Sequence, residues 1–213
     1  MCGQYSFLAA KEALIERYQL NQAYADNFEL DYALEESDDD RQKPSVYYPS
    51  GQPPILLPNQ KIYNIQWGMT PSFAKRPLIN ARLETVLEKK TFREPFMKKR
   101  CIVPATCFYE WQAADETEGR AKTKYEIAVK DLPIFSMAGI CERYADGKGG
   151  SYLTFAILTM APKDQMAHIH DRMPVILEPA FEATYLDLTV SPDVLFSQLN
   201  QELSYDLLLE ARP

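Results

Sequence analysis

A cysteine directly follows the initiator methionine in Met1-Cys2-Gly3-Gln4-Tyr5. Processing generally removes a methionine ahead of a small side chain. Cys2 would then carry a free α-amine (reference pKa about 7.7–8.0) beside a thiol (about 8.5). An amine attacks an aldehyde to give an imine, and the neighbouring thiol can close that imine into a five-membered thiazolidine; the other reading of Cys2 is a small buried packing residue. Asn80, in Pro77-Leu78-Ile79-Asn80-Ala81-Arg82, can orient a carbonyl or an amine, or cap a following helix. Glu110 is an acid among aromatics in Cys107-Phe108-Tyr109-Glu110-Trp111. Buried, it would titrate near neutral pH and serve as a general acid; at a strand end it would only border a core. His170 is one of only two histidines and suits acid–base work, or a structural place in a loop. Arg82 offers a bidentate phosphate contact or an ordinary surface charge. Trp67 and Trp111, the only tryptophans, suit stacking on bases or packing in a core.

Something must bring these residues together, and the hydrophobic pattern says what. Leu8, Leu14, Ile15 and Tyr18 share one face of a helix over about 8–20, with Ser6 as its cap. Five prolines between Pro44 and Pro58 read as irregular surface chain. A strand is expected over Ile62–Met69 and a basic helix over Glu84–Phe92. The second half reads as strands at Cys101–Trp111, Tyr125–Lys130, Ile134–Glu142, Tyr152–Met160 and Met173–Leu177. Asp146-Gly147-Lys148-Gly149-Gly150 forms a hairpin loop between two of them. Two helices follow, one with Phe181, Tyr185 and Leu188 on one face and one opened by Ser191-Pro192-Asp193. Strands joined by short turns with helices grouped at the ends imply an α+β fold: one compact domain over 1–213, with a largely antiparallel core and an acidic, proline-rich surface insertion at about 26–60.

With 213 residues, 46% hydrophobic and 25% charged, the chain can build a core without disulfides. Cys2, Cys101, Cys107 and Cys141 form no CxxC pair, so no metal is expected. No apolar run approaches the roughly 18 residues of a membrane span, and the first residues lack a secretory pattern. The net charge of -7 argues against a general polyanion binder, yet it is unevenly spread. Asp26–Asp40 holds eight acids and no base, whereas Lys75–Arg100 carries nine bases against Glu84, Glu88 and Glu94. That second stretch is either a solvated face or a local phosphate-binding strip.

Five segments occur together and in order: Met1-Cys2-Gly3-x-Tyr5, Trp67-Gly68-Met69, Asn80-Ala81-Arg82-x-Glu84-Thr85, Arg100-Cys101-x-x-Pro104-Ala105-x-x-Phe108-Tyr109-Glu110-Trp111, and His170-x-Arg172-Met173-Pro174-Val175-Ile176-Leu177. In this the chain resembles the SOS-response-associated peptidase family, whose members are described as abasic-site processing proteins. The resemblance implies a compact α+β fold with a barrel-like antiparallel core. It also implies binding to single-stranded DNA, or to a single-stranded/double-stranded junction, at a lost base, with a covalent thiazolidine shielding the strand. By similarity Cys2 is the nucleophile, Asn80 holds its amine, Glu110 shuttles the proton and His170 assists ring opening or reversal. Trp67, Arg82 and Arg172 touch DNA, joined by Trp111. No cofactor, metal or membrane is implied, and nothing requires more than a monomer, cytoplasmic and associated with the nucleoid when on DNA. Gln4 stands where the family usually has Arg, which removes one phosphate contact, and Cys107 stands where Gly is common. Two other activities are open to the same residues. One is an N-terminal-nucleophile cysteine peptidase acting in autoprocessing, as the family name suggests; the other is a noncovalent single-stranded DNA module.

Overall fold

The computed structural model describes residues 2–8, 11–21, 45–114, 121–163, 165–199 and 206–212; the acidic run Asp26–Asp40 lies outside them. The chain opens with β1 (Tyr5–Phe7) and α1 (Lys11–Tyr18). Five short strands follow: β2 (Ser45–Tyr47), β3 (Pro54–Leu56), β4 (Ile62–Asn64), β5 (Gln66–Trp67) and β6 (Asn80–Arg82). After α2 (Lys90–Lys98) come β7 (Arg100–Ala105), β8 (Cys107–Gln112), β9 (Thr123–Val129), β10 (Phe135–Ala145) and β11 (Ser151–Met160). β12 (Met173–Pro174), β13 (Ile176–Leu177), α3 (Glu182–Leu186), α4 (Pro192–Leu199) and β14 (Leu207–Arg212) complete it. The α+β reading is the observed architecture. The strands form two sheets, one in the order β14-β9-β8-β1-β2 and one running β12-β11-β10-β7-β3-β4, with β13 on β10 and β5 and β6 on β11. Among the described residues these sheets do not close into one cylinder.

The segment expected as a single strand over Cys101–Trp111 is two strands in different sheets. The corner is Thr106, whose N–H and hydroxyl both donate to the Ser6 carbonyl, at 2.9 and 3.2 Å. This seats β1 beside β8, with Tyr5 opposite Phe108. The two sheets share one core, in which Trp67 stacks on Phe155 (centroids 6.1 Å apart) and Tyr5 meets Trp67 edge-on at 5.3 Å. The expected hairpin joins β10 to β11: Asp146 Oδ1 accepts the N–H groups of Lys148 and Gly150, and Gly147 and Gly149 take left-handed backbone.

The basic helix lies later than its sequence pattern suggested. Residues 80–82 pair with β11, and Leu83–Thr85 make only a single 3-10 turn. Helix α2 then starts at Lys90 and buries Pro95 and Phe96. β14, which pairs with β9, carries no pattern strong enough to have been read as a strand.

Arg100 counted as part of the basic strip, yet it is 1% exposed. Its guanidinium donates to the carbonyls of Phe96 (2.8 Å), Met97 (3.2 Å), Tyr185 (2.6 Å) and Asp187 (2.6 Å). One buried cation thus satisfies the carbonyl ends of both α2 and α3, where helix dipoles favour positive charge. Arg100→Met is expected to destabilise the protein by more than about 3 kcal/mol, because several main-chain acceptors lose a charged donor at once. The urea unfolding midpoint checks this.

Candidate active site

The register of β1 on β8 is continued by the Tyr109 N–H, which donates to the Gln4 carbonyl at 3.0 Å. It carries Cys2 and Gly3 alongside Glu110. Cys2 is fully buried, and its thiol points back to the Gln4 carbonyl at 3.8 Å. From the other sheet, β6 runs parallel to β11 with Asn80 opposite Ile157, and Asn80 Nδ2 donates to the Cys2 carbonyl at 2.9 Å. The loop before β12 brings His170 in, with Nε2 3.7 Å from Glu110 Oε2. Cys2, Asn80, Glu110 and His170, read from four distant segments, therefore converge where the two sheets meet. Asn80 holds the carbonyl of Cys2 rather than its nitrogen. Its Oδ1 is buried with no hydrogen-bond partner among the described residues.

Burial governs the electrostatics here. Glu110 is 2% exposed, and loss of solvation pushes its carboxyl up to about 7. Desolvation also pushes the Cys2 thiol far above its ordinary value, with the Glu110 charge adding to the effect. His170 is lowered, again mainly by burial, which favours its neutral ring. The site thus holds a protonated thiol, a carboxyl poised near neutrality and a neutral imidazole.

The DNA-contacting residues expected from the sequence divide. Arg82 is exposed at the end of β6. Trp67 is not: it is fully buried and its indole N–H donates to the Ile79 carbonyl at 2.9 Å, so no face is open to a base. Trp111 alternates with Glu110 along β8 and projects from the opposite face of the sheet, where Lys124 Nζ lies 5.4 Å from its ring. Arg172 is engaged by Glu84 through Nη1 (2.7 Å) and Nη2 (2.9 Å), and by the Thr159 carbonyl (2.6 Å). Gln4 is buried and donates to the Tyr48 hydroxyl at 3.2 Å, so this position faces inward.

The most exposed aromatic among the described residues escaped the sequence reading. Phe73 is 72% exposed in a loop with Lys75 and Arg76, both also exposed. Gly68 creates that loop's base: its φ of 118° is left-handed backbone, and a Cβ there would lie 2.7 Å from Pro77 Cβ. The available signal was an aromatic between a proline and two cations, in Pro71-Ser72-Phe73-Ala74-Lys75-Arg76.

The SOS response associated peptidase (SRAP) family model matches residues 1–209. The chain belongs to that family. The abasic site processing protein YoaM of Bacillus subtilis (strain 168) is 33% identical over 97% of this SRAP chain and 87% of its own. Abasic site processing protein YoqW of Bacillus phage SPbeta is 33% identical over 93% of this chain and 86% of its own. A crystal structure of a Bacteroides thetaiotaomicron protein superposes with a TM-score of 0.76 at 30% identity, covering 98% of this chain and 91% of that one. No helix among the described residues of this SRAP protein is long and apolar enough to cross a membrane.

A carboxyl whose folded-state pKa is raised stabilises the fold while protonated. That contribution is complete below the ordinary value of 4.5 and is lost as pH rises through about 7. Glu110→Gln is therefore expected to gain stability relative to wild type as pH rises across this window, and the gap should level off above it. Urea midpoints measured at a series of pH values test the sign.

Proposed function

We propose that this SRAP protein senses abasic sites in single-stranded DNA and captures them covalently through Cys2 once Met1 is removed. The observation that carries this reading is the meeting of Cys2 with Glu110, Asn80 and His170 in a buried corner. The names of the relatives supply the substrate class.

An abasic sugar equilibrates with a ring-opened form bearing a C1′ aldehyde. The Cys2 amine attacks C1′, the carbonyl π pair moves to oxygen, and Glu110 in its acid form delivers a proton there. Loss of water, taking one hydrogen from nitrogen, gives the iminium, whose nitrogen keeps its other hydrogen. The Glu110 carboxylate then takes the thiol proton, which restores its acid form, sulfur attacks C1′, and the C=N π pair moves to nitrogen to leave a neutral ring N–H. One C–N and one C–S bond form, one water leaves, and nothing is oxidised or reduced. The free Asn80 Oδ1 is an acceptor for the new amine. His170 presents its ring to Glu110 and assists opening of the sugar. Closing the imine into a thiazolidine removes the iminium that would drive β-elimination, so the strand is shielded rather than cut.

The exposed side of β6 supports the DNA path. Lys75, Arg76, Arg82 and Lys89 are all exposed, and Phe73 offers a stacking face among them. On undamaged single-stranded DNA, Arg82→Ala is expected to weaken binding and to reduce the salt slope by about 0.7. Fluorescence anisotropy across a salt series measures both.

The deciding experiment is a denaturing-gel assay with protein whose mass confirms loss of Met1 and an oligonucleotide carrying one abasic site. Wild type is expected to give a heat-stable shifted band; Cys2→Ala should give none. Cys2→Ser retains the amine but lacks sulfur and should also give no heat-stable band. Absence of the wild-type band overturns covalent capture. Binding without regard to the lesion would then indicate a noncovalent module, and Met1 retention in Cys2→Ser an autopeptidase.

A further inference from the structure

Arg172 and Glu84 have a geometry that a simple DNA contact does not need. The Arg172 guanidinium is anchored by both carboxylate oxygens of Glu84, by the main-chain carbonyl of Thr159 and, at 3.4 Å, by the Thr159 hydroxyl. Thr159 lies on β11, paired with Arg82 on one side and Pro174 on the other. Glu84 lies in the 3-10 turn that follows β6, and its Oε1 also accepts the Ala161 N–H at 3.2 Å. The Arg172 side chain is therefore tied to the same strands that place Asn80. A phosphate approaching Nη1 or Nη2 would compete with Glu84 for them.

The Arg172 backbone points the other way. Its N–H donates to His170 Nδ1 at 3.0 Å. Asp171 Oδ1 also lies 2.9 Å from that nitrogen, and an acceptor there would require Nδ1 to carry the proton. The two demands conflict, and exposure decides between them: the Asp171 side chain is 84% exposed and can turn to water, whereas the Arg172 side chain is 11% exposed and pinned. Nδ1 is then the acceptor, and the proton of the neutral ring sits on Nε2, facing Glu110.

We propose that Glu84 and Arg172 are positioning residues for His170, their ion pair holding the Arg172 N–H against Nδ1 so that the ring presents Nε2–H to Glu110. This deepens the covalent-capture reading and rests on it for its consequence, though not for its geometry. Neither residue touches the reacting atoms. Their effect is on the orientation and tautomer of one that does.

The test has a DNA-free arm and a DNA arm. Protein labelled with 15N at histidine contains only two imidazoles, and His168→Gln, at an exposed position, assigns them. Long-range 1H–15N spectra of wild type should show His170 as the Nε2–H tautomer. Glu84→Ala should average the two tautomers and slow crosslinking by about tenfold or more, with affinity for undamaged single-stranded DNA unchanged. Glu84→Gln keeps the oxygen acceptor and should restore most of both signatures. Arg172→Lys keeps the charge but not the fork, should average the His170 tautomers as Glu84→Ala does, and decides the matter by its tautomer spectrum if Glu84→Ala does not fold. An unchanged His170 tautomer in Glu84→Ala and in Arg172→Lys overturns the proposal. Tighter DNA binding with faster crosslinking in Glu84→Ala also overturns it, since Glu84 would then be competing with phosphate for Arg172. If wild type forms no crosslink at all, covalent capture fails, while the tautomer spectra still judge the positioning role.

Discussion

Three residues of β1, held with Tyr5 opposite Phe108 and Ser6 opposite Cys107, set where the candidate chemistry takes place. Side chains alternate along β8, so Glu110 and Phe108 share one face of the sheet while Cys107, Tyr109 and Trp111 lie on the other. A slip of one residue would turn every side chain of one strand to the other face. Glu110 would then be drawn away from Cys2. The register is pinned from both ends: the Thr106 corner clamps Ser6, and the Tyr109 N–H holds Gln4. Ser6 Oγ and Tyr109 OH add a bond across the outer face at 3.0 Å. A terminus that would otherwise fray is thereby fixed within the core, where Tyr5 packs against Tyr47 and Trp67.

The opposite wall depends on a different kind of contact. β6 is three residues long and pairs parallel to β11, with no hairpin to enforce proximity. Its place is held by buried Ala81 and Leu83 and by the Trp67 indole, which donates to Ile79 next to Asn80. The burial that denies Trp67 a role as a DNA platform thus gives it another: its N–H fixes the backbone that presents Asn80. Arg100 shows the same exchange, being lost to the basic surface because it closes two helices from inside.

These cases explain what was legible in the sequence. Cys2, Asn80, Glu110 and His170 could be picked out because their chemistry is scarce and their segments occur in a recognisable order. The antiparallel strands with strong apolar runs, β10 and β11, and their glycine-rich hairpin were equally plain. Exposure was not legible. A tryptophan or arginine reads alike whether it faces solvent or fills a core: the resemblance placed Trp67 and Arg172 on DNA, Trp111 was joined to them, and Arg100 was counted in the basic strip on charge alone. Residues 84–92 had helical composition, but pairing of 80–82 with β11 set the path of the chain, so the helix formed only where Pro95 and Phe96 could be buried. The Cys101–Trp111 run looked continuous because a strand that changes sheets keeps its apolar character through the corner.

Burying a thiol beside a carboxyl has a cost and a consequence. Loss of solvation disfavours the charged form of each, so the carboxyl titrates near neutrality and the thiol, raised further by the Glu110 charge, stays protonated. A thiol kept in that form is a poor nucleophile and a poor target for oxidants. In the proposed sequence this order of reactivity is useful. The amine acts first, and its attack on the aldehyde draws a proton from Glu110. That transfer leaves Glu110 as a carboxylate beside the thiol at the moment the electrophile forms. The sulfur is thus activated by the step that creates its electrophile, and the same burial that suppresses the free thiol confines its reaction to a bound aldehyde. The exposed cations along Lys75–Lys89 lie outside this corner. A chain of net charge -7 can therefore hold a polyanion locally without placing a fixed positive charge in the corner where proton transfer depends on a carboxyl near neutrality.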